Sequence, residues 1–497
     1  MNFKRLTKKT EFYIGIILVV FCLIVQVRSG QFFTPNNIVD LLRSVTIPTM
    51  FCIGEMMVLI SGGVDCSFPA IASLSMYFVC TKLDGAFSNP VPYFLIAMIL
   101  GLLMGAVNGF IVAKFKFPAM IVTLGMSSVW VGVMQGLIGS SEYPLTSALY
   151  RLGETKIFTG VNAETGFSSN LPVHFLFAVI LVAIGWFILN KTMLGRGIYA
   201  VGGDEVAAAR AGFNVFGTRM FIFCFSGMIA GFIGVCRASM MLTVSPNNMI
   251  GMEMDVIAAC VLGGVSLVGG KGSVLGAVLG TALMTIVSNS LILLGIPAML
   301  ATLGTQSLFW GLGVVLINGS TLSGFPLVLG SMLNKKFGLI PITVIIFAVA
   351  AIITGIVVQK TKLGREMKMY GTNSLATTYA GLNNFKIVVS THIFSGMLAA
   401  LCGIIMWGRY SSAKADTGST YTMQAILIAV LGGVSPLGGQ GSVTGIVLAV
   451  LIIQMISSTL NMFTFIPTAC RQIVWGLLLI VVMIENFYID QRAKKRH

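Results

Sequence analysis

Apolar runs of about 16 residues or more recur along this chain, and no other feature restricts its fold so strongly. Residues 12–27, 93–112, 173–189 and 340–358 are examples. As a helix rising about 1.5 Å per residue, each can cross most of a hydrocarbon layer about 30 Å thick. In lipid the backbone groups must be satisfied within their own segment, which selects helices. Of 497 residues, 56% are hydrophobic and 9% charged. A soluble chain of that length could not cover its surface with so few polar groups. The reading is an all-α, polytopic integral membrane protein with about 14–15 hydrophobic segments.

The formal net charge of +15 is a matter of topology. Lys and Arg gather in a few short loops and at the termini, the pattern of loops retained on the cytoplasmic side. No nucleic-acid partner is expected. Lys4, Arg5, Lys8 and Lys9 precede the first run, and the VRSGQ stretch at 27–31 makes a poor cleavage site. A retained first helix with a cytoplasmic N-terminus follows. Lys114 and Lys116, then Lys191, Arg196 and Arg210, then Lys360, Lys362, Arg365 and Lys368 mark three inner loops. The basic tail 490–497 joins them, giving a multi-pass protein of a cytoplasmic membrane with both termini inside. The long polar stretch 139–172, with Glu142, Glu154 and Glu164, is placed outside.

The chain repeats itself in the same direction. VLGGVSLVGGKGSVLG at 261–276 returns as VLGGVSPLGGQGSVTG at 430–445, an offset of 169 residues. NKTMLGR at 190–196, GGDEVAAARAGFNV at 202–215 and FSGMIAGFIG at 225–234 return at the same offset. FPAMIVTLGMSS at 117–128 returns as IPAMLATLGTQS at 296–307. Residues 1–116 have no second copy, and the last span, 472–484, has no counterpart after 295. The expected division is a first unit, 1–295, without its last span, and a second, 296–497, without its first spans. Their joint lies near IPA at 296–298. One conflict follows: three apolar segments, 273–293, 297–318 and 338–358, separate Lys271 from Lys362, both expected inside. Either one segment does not cross fully, with 297–318 as the expected one, or the C-terminal half lies inverted against its own charges.

Three motifs carry the functional reading. The glycine run lacks the spacing of a phosphate loop, since Val265 stands where the first glycine belongs and Gly272 where the hydroxyl belongs. Gly263, Gly264, Gly269 and Gly270, with Ser266, instead predict a break between two membrane helices; Gly432, Gly433 and Ser435 repeat it. Gly272, Gly276 and Gly280 fall on one helix face suited to close helix approach. In SGGVDCSFP, Asp65 is expected to cap a helix starting near Ser67, beside a translocation path, with Glu55 a second intramembrane acid. In the third motif, Asp204 should cap a short surface helix over 205–211 that Gly212 ends, with Arg196 ahead of it. The repeat keeps Arg365 and Gly381 and offers Asn373 as the cap, with Ser374 in place of Glu205. The nine cysteines form no CxxC and the three histidines are scattered. No catalytic set, metal site or cofactor is expected.

Taken in order, GGVDCSFP (62–69), TLG (123–125), TMLGRGIYAVGGDEVAA (192–208) and VLGGVSLVGGKG (261–272) resemble the monosaccharide branch of bacterial ABC importer permeases. That branch is the ribose, galactose and xylose type. TLG (302–304), TKLGREMKMYGTNSLA (361–376) and VLGGVSPLGGQG (430–441) resemble it again. The resemblance implies a non-enzymatic permease that takes a sugar from an extracytoplasmic binding protein while a separate ABC ATPase hydrolyses ATP. A second permease chain is a further partner, and the lipid bilayer is the solvent. It places Arg196, Asp204, Glu205, Ala207, Ala208 and Gly212 in a helix docking on the ATPase, with Arg365, Asn373, Ser374 and Gly381 as their repeat. Phe68-Pro69 departs from the family's Val-Gly, and the second loop has lost its acids. Two alternatives stand beside this reading: a nonfunctional in-frame fusion of two permease genes, and an ion-coupled secondary transporter using Glu55 and Asp65.

Overall fold

A computed structural model describes residues 10–145, 148–162, 166–293, 322–323, 335–337, 340–410, 412–413, 418, 421–435, 438–462 and 470–494. The chain divides into two compact units, Met1–Leu308 with Pro467–Leu477, and Phe309–Ile466 with Leu478–His497. The joint at 296–298, the segment 297–318 and the second TLG lie outside the described residues.

The first unit holds α1 (Thr10–Ser29), α2 (Pro35–Ile60), α3 (Phe68–Lys82), α4 (Val91–Phe115), α5 (Ala119–Val133) and α6 (Ala148–Glu154). There follow α7 (His174–Lys191), α8 (Met193–Gly203), α9 (Glu205–Arg210), α10 (Val215–Met241), α11 (Glu253–Leu262) and α12 (Val274–Leu293). The polar stretch 139–172 is more structured than a loop. It contains α6, strand β1 (Tyr143–Pro144) and the antiparallel hairpin of β2 (Lys156–Val161) with β3 (Ser168–Pro172), while β1 pairs with β4 (Thr243–Val244).

The second unit contains β5 (Leu322–Ser323), β6 (Lys336–Phe337), β7 (Ile340–Pro341), α13 (Ile342–Lys360), α14 (Lys362–Thr372), α15 (Ser374–Tyr379) and α16 (Asn384–Tyr410). After them come β8 (Ser412–Ala413), α17 (Thr422–Leu431) and α18 (Val443–Met462). The terminal helix α19 (Cys470–Lys494) gives its first turns to the first unit. Among the described residues, nine helices are long and apolar enough to cross a membrane, and the runs read from the sequence fall in α1, α4, α7 and α13.

Small residues set the packing of the first unit. A Cβ on Gly101 would strike the Gly227 carbonyl, one on Gly105 the Phe223 carbonyl, and one on Gly231 the Ala97 carbonyl. Helices α4 and α10 therefore cross backbone to backbone, which Gly permits and lipid rewards with dispersion contact. Gly234 seats against Ala72 of α3, and Gly54 of α2 against Ser226. In the second unit Gly396 and Gly403 match Gly227 and Gly234, yet among the described residues nothing lies within 4 Å of a Cβ at either. The spans that would cover them belong to residues 1–116, which occur once in the chain.

Candidate functional site

The first element of the site is the break between α2 and α3. Helix α2 ends at Ile60, Gly62 turns left-handed at φ +84°, and the chain runs without helix to Phe68. Pro69 then opens α3, where a missing N–H costs no helical bond. The expected cap is corrected here: the N-cap position belongs to Ser67, whose side chain makes no cap bond. Asp65 acts one step earlier. Its Oδ1 accepts the Ser67 N–H at 2.7 Å and the Ser67 hydroxyl at 2.6 Å, closing the turn ahead of the helix.

Around that turn, four elements converge. Glu55 of α2 accepts the Asp65 N–H at 3.2 Å. Asn108 of α4 donates to Ser67 Oγ at 2.7 Å. Thr123 of α5 accepts the Cys66 N–H at 3.0 Å, which gives the TLG motif a physical task. All of these side chains except that of Cys66 are polar, and every one is at most 1% exposed. Glu55 Oε2 and Asn108 Oδ1 have no hydrogen-bond partner among the described residues. Sequence reading found Glu55, Asp65 and Ser67 but missed Asn108. A lone amide in GAVNGF offers no charge to mark it, and only the fold brings it to Ser67.

The glycine run is the second element. Helix α11 has 10 residues, about 15 Å of rise, so helix alone does not span the layer. After Leu262 the backbone turns with Gly264 at φ +85°, Gly269 at +95° and Gly270 at +72°. Helix α12 then packs back on α11: a Cβ on Gly276 would strike the Gly263 carbonyl, and one on Gly280 the Ala259 carbonyl. Gly272 is not part of that stripe. It precedes α12, and a Cβ there would lie 2.8 Å from Ile60 Cγ1. The second run, where described, copies the turn, with Gly433, Gly438 and Gly439 at φ +78°, +91° and +77° and Gly445 against the Gly432 carbonyl. Ser266 and Ser435 close matching turns, their N–H groups donating to Lys271 O at 3.0 Å and Gln440 O at 3.1 Å.

The third element is the loop after α8. Asp204 Oδ1 accepts the Ala207 N–H at 2.9 Å and caps α9, which ends before Gly212 at φ +85°. Glu205 is held from two sides, by Arg219 at 2.8 Å and Lys116 at 3.1 Å. Arg196, Val206, Ala207 and Arg210 face outward, while Ala208 is buried. The repeat keeps the frame without the ion pairs. Asn373 Oδ1 accepts the Ala376 N–H at 3.0 Å, Gly381 stands at φ +75°, and Arg365 is exposed.

The three elements meet at one point. A Cβ on Gly202 would strike the Ile60 carbonyl, and one on Gly269 would lie 2.6 Å from Gly202 O and 2.8 Å from Gly62 Cα. The Gly270 N–H donates to Ile60 O at 2.8 Å, and the Tyr199 hydroxyl to Gly272 O at 2.9 Å. The end of α2, the end of α8 and the glycine turn thus touch mainly through backbone, with the Tyr199 hydroxyl as a side-chain bond. In the second unit Gly371 meets Gly438 and Gly439 in the same way.

Comparison with known proteins gives this geometry a family. The sequence model of a family described as "Branched-chain amino acid transport system / permease component" matches residues 37–317 and again 291–483. The chain belongs to this family. Its two matches restate the internal repeat. The ribose import permease protein RbsC of Haemophilus influenzae is 31% identical over 286 residues, covering 57% of this chain and 85% of that protein. RbsC of Escherichia coli K12 is 32% identical over 283 residues, covering 57% and 86%. The autoinducer 2 import system permease protein LsrC of Photorhabdus luminescens is 31% identical over 285 residues, covering 57% and 82%. No solved structure matches the chain. The protein is a multi-pass membrane permease component, and the permease fold class read from sequence stands.

Proposed function

We propose that this chain is the membrane subunit of an ATP-driven ABC importer, passing a monosaccharide or similar small polyol from an extracytoplasmic binding protein to the cytoplasm. The ribose and autoinducer 2 permeases among its relatives support the substrate class. The observation that carries the mechanism is the backbone junction of Gly202, Ile60, Gly62, Gly269 and Gly270. A partner ATPase that displaces α9 moves Gly202 and Gly203. Backbone contact at Gly202 and the Tyr199 hydroxyl on Gly272 O pass the displacement to the ends of both broken helices. One of them is α2, which carries Glu55, and the turn beyond it carries Asp65 and Ser67. Opening there would expose carboxyl and amide oxygens to sugar hydroxyls in place of the present closed knot.

In this reading Asp204, Glu205, Ala207, Ala208 and Gly212 form the coupling helix, with Arg196 beside it. Arg365, Asn373, Ser374 and Gly381 form its second copy. The glycine turn adds a tip, Leu267 at 51% and Val268 at 87% exposure, close to Gly202. These exposed apolar residues, and Val206 at 59%, suit a protein partner better than water. The termini are assigned to the cytoplasmic side by their basic residues, and a second permease chain completes the transporter.

The test uses the chain reconstituted in vesicles with its ATPase and binding protein. Val206→Asp and Val268→Asp put a charge on the docking surface without touching a buried group. ATPase stimulation by sugar-loaded binding protein is expected to fall about tenfold or more while Tm stays within a degree or two, as for exposed sites. Unchanged stimulation in both variants would remove the docking surface from this face.

A further inference from the structure

We infer that 470–477, the first turns of α19, packs into the first unit at the place where its last span is missing. Residues 10–293 together with 470–477 then form one complete permease body, with 309–466 of the second unit between its parts and 478–497 of the second unit after it. Calling the body complete rests on the permease reading; the packing on which it is built does not.

Three observations converge. The repeat shows that a last span exists once, at 472–484, and that none follows the first unit where one is due. The structure groups Pro467–Leu477 with Met1–Leu308, although some 160 residues of the second unit intervene, a spacing read from the unit boundaries. The seat is built for it. A Cβ on Gly476 would strike the Gly125 carbonyl and lie 2.6 Å from Val129 Cγ2. A Cβ on Gly136 would lie 2.5 Å from Cys470 Sγ and 3.2 Å from its backbone nitrogen. Glycines on both helices at two levels are the device by which membrane helices approach closely. Trp475, between those levels, is 4% exposed.

The segment also reaches the site. Gly125 belongs to the TLG motif, and Thr123, two residues before it, holds the Cys66 N–H at the helix break. The terminal segment therefore braces the helix that anchors the break. Gly476 is a positioning residue for a polar knot that it does not touch. The polar knot of Glu55, Asp65, Ser67 and Asn108 lies wholly within residues 1–116, which the second unit lacks, so the path belongs to the closed first body.

The experiment is a disulfide in the full-length protein. Gly136→Cys supplies a partner for the native Cys470 at a separation that a disulfide can bridge. Mild oxidation is expected to join the peptides holding positions 136 and 470 within one chain, as read by mass spectrometry of the monomer band. The Gly136→Cys/Cys470→Ser variant should give no such link. A second variant guards against local misfolding at position 136. A benzophenone side chain at Val129 should capture the peptide holding 470–477 on illumination. Links found only between chains, or neither link in protein that remains monodisperse, would overturn the inference. If the links form and reconstituted protein moves no sugar, the permease reading falls and the closure stands. In transport-competent vesicles Gly476→Leu should reduce uptake about tenfold or more; uptake within twofold of the parent overturns its bracing role.

Discussion

At the residue scale, the break at 61–67 depends on one short chain of donors. Asn108 donates to Ser67 Oγ, Ser67 donates to Asp65, and the Asp65 N–H reaches Glu55. An amide at position 65 still offers an oxygen to Ser67, so Asp65→Asn should keep the turn. Asp65→Ala removes two bonds in a fully buried site and should cost about 1–3 kcal/mol, because the Ser67 groups are left without water. Asn108→Ala should cost a similar amount. The double variant Asp65→Ala/Asn108→Ala should fall short of the sum by at least about 0.5 kcal/mol, since both act on Ser67. Thermal unfolding in detergent reads all three, and simple additivity would mean that the two residues do not share a network. Asp65 and Glu55 were legible because an acid among apolar residues is conspicuous. Asn108 was not: a lone amide in GAVNGF carries no charge and no spacing signal, and only the fold brings it to Ser67. The Asp65 cap was misplaced by two residues, because Ser67 itself takes the N-cap position.

At the element scale, the repeated glycine run gave its meaning through backbone angles. The positive φ values at Gly264, Gly269 and Gly270 recur at Gly433, Gly438 and Gly439, with matching glycine neighbours, Gly202 and Gly371. Gly270→Ala should be strained at φ +72° and bring its Cβ to 3.0 Å from Gly203 Cα. Gly439→Ala faces the same strain at φ +77° and meets Thr372. Each should cost about 1–3 kcal/mol. Only Gly270→Ala should also uncouple ATP hydrolysis from uptake, because Ile60 and Gly62 have no second copy. Equal uncoupling by both variants would place the junction's function elsewhere. The same comparison marks what similarity of sequence conceals. FSGMIAGFIG and FSGMLAALCG align well, yet Ala400 stands for Gly231, whose Cβ would strike the Ala97 carbonyl. His392 likewise stands for the buried Phe223. The second face has lost the fit for α4, which no count of identities reveals. The capped short helices α9 and α15, by contrast, were legible, because Asp204 and Asn373 act through their nearest backbone neighbours.

At the scale of the whole molecule, the charges and the span count still oppose each other across 272–360. In the first unit the glycine turn at 269–270 touches Gly202 and Gly203, just ahead of the loop that α9 opens, so Lys271 shares the side of Arg196 and Arg210. Helix α12 leaves that side at Val274. In the second unit α13 ends at Lys360, and α14 begins with Lys362 and carries Arg365 and Lys368. Thr361 accepts the Gly364 N–H at 3.3 Å as Thr192 accepts that of Gly195 at 3.1 Å. Since the local structures match, the two loops are expected to face the same compartment. Four basic residues beside one helix end also retain it on the cytoplasmic side. Both arguments require an even number of crossings from α12 to α13, counting those two; the segment 297–318 lies outside the described residues. Lys362→Cys, labelled with a membrane-impermeant maleimide, tests this directly. Cys402 is exposed, and Cys224 and Cys470 are half-buried, so all three are first changed to serine. Labelling is expected in inverted vesicles and not in intact cells, with Lys116→Cys as the inner reference and Glu154→Cys as the outer one. Labelling of position 362 in intact cells would mean that 297–318 crosses. The second unit would then lie inverted against its own charges, and α15 could not reach a cytoplasmic ATPase.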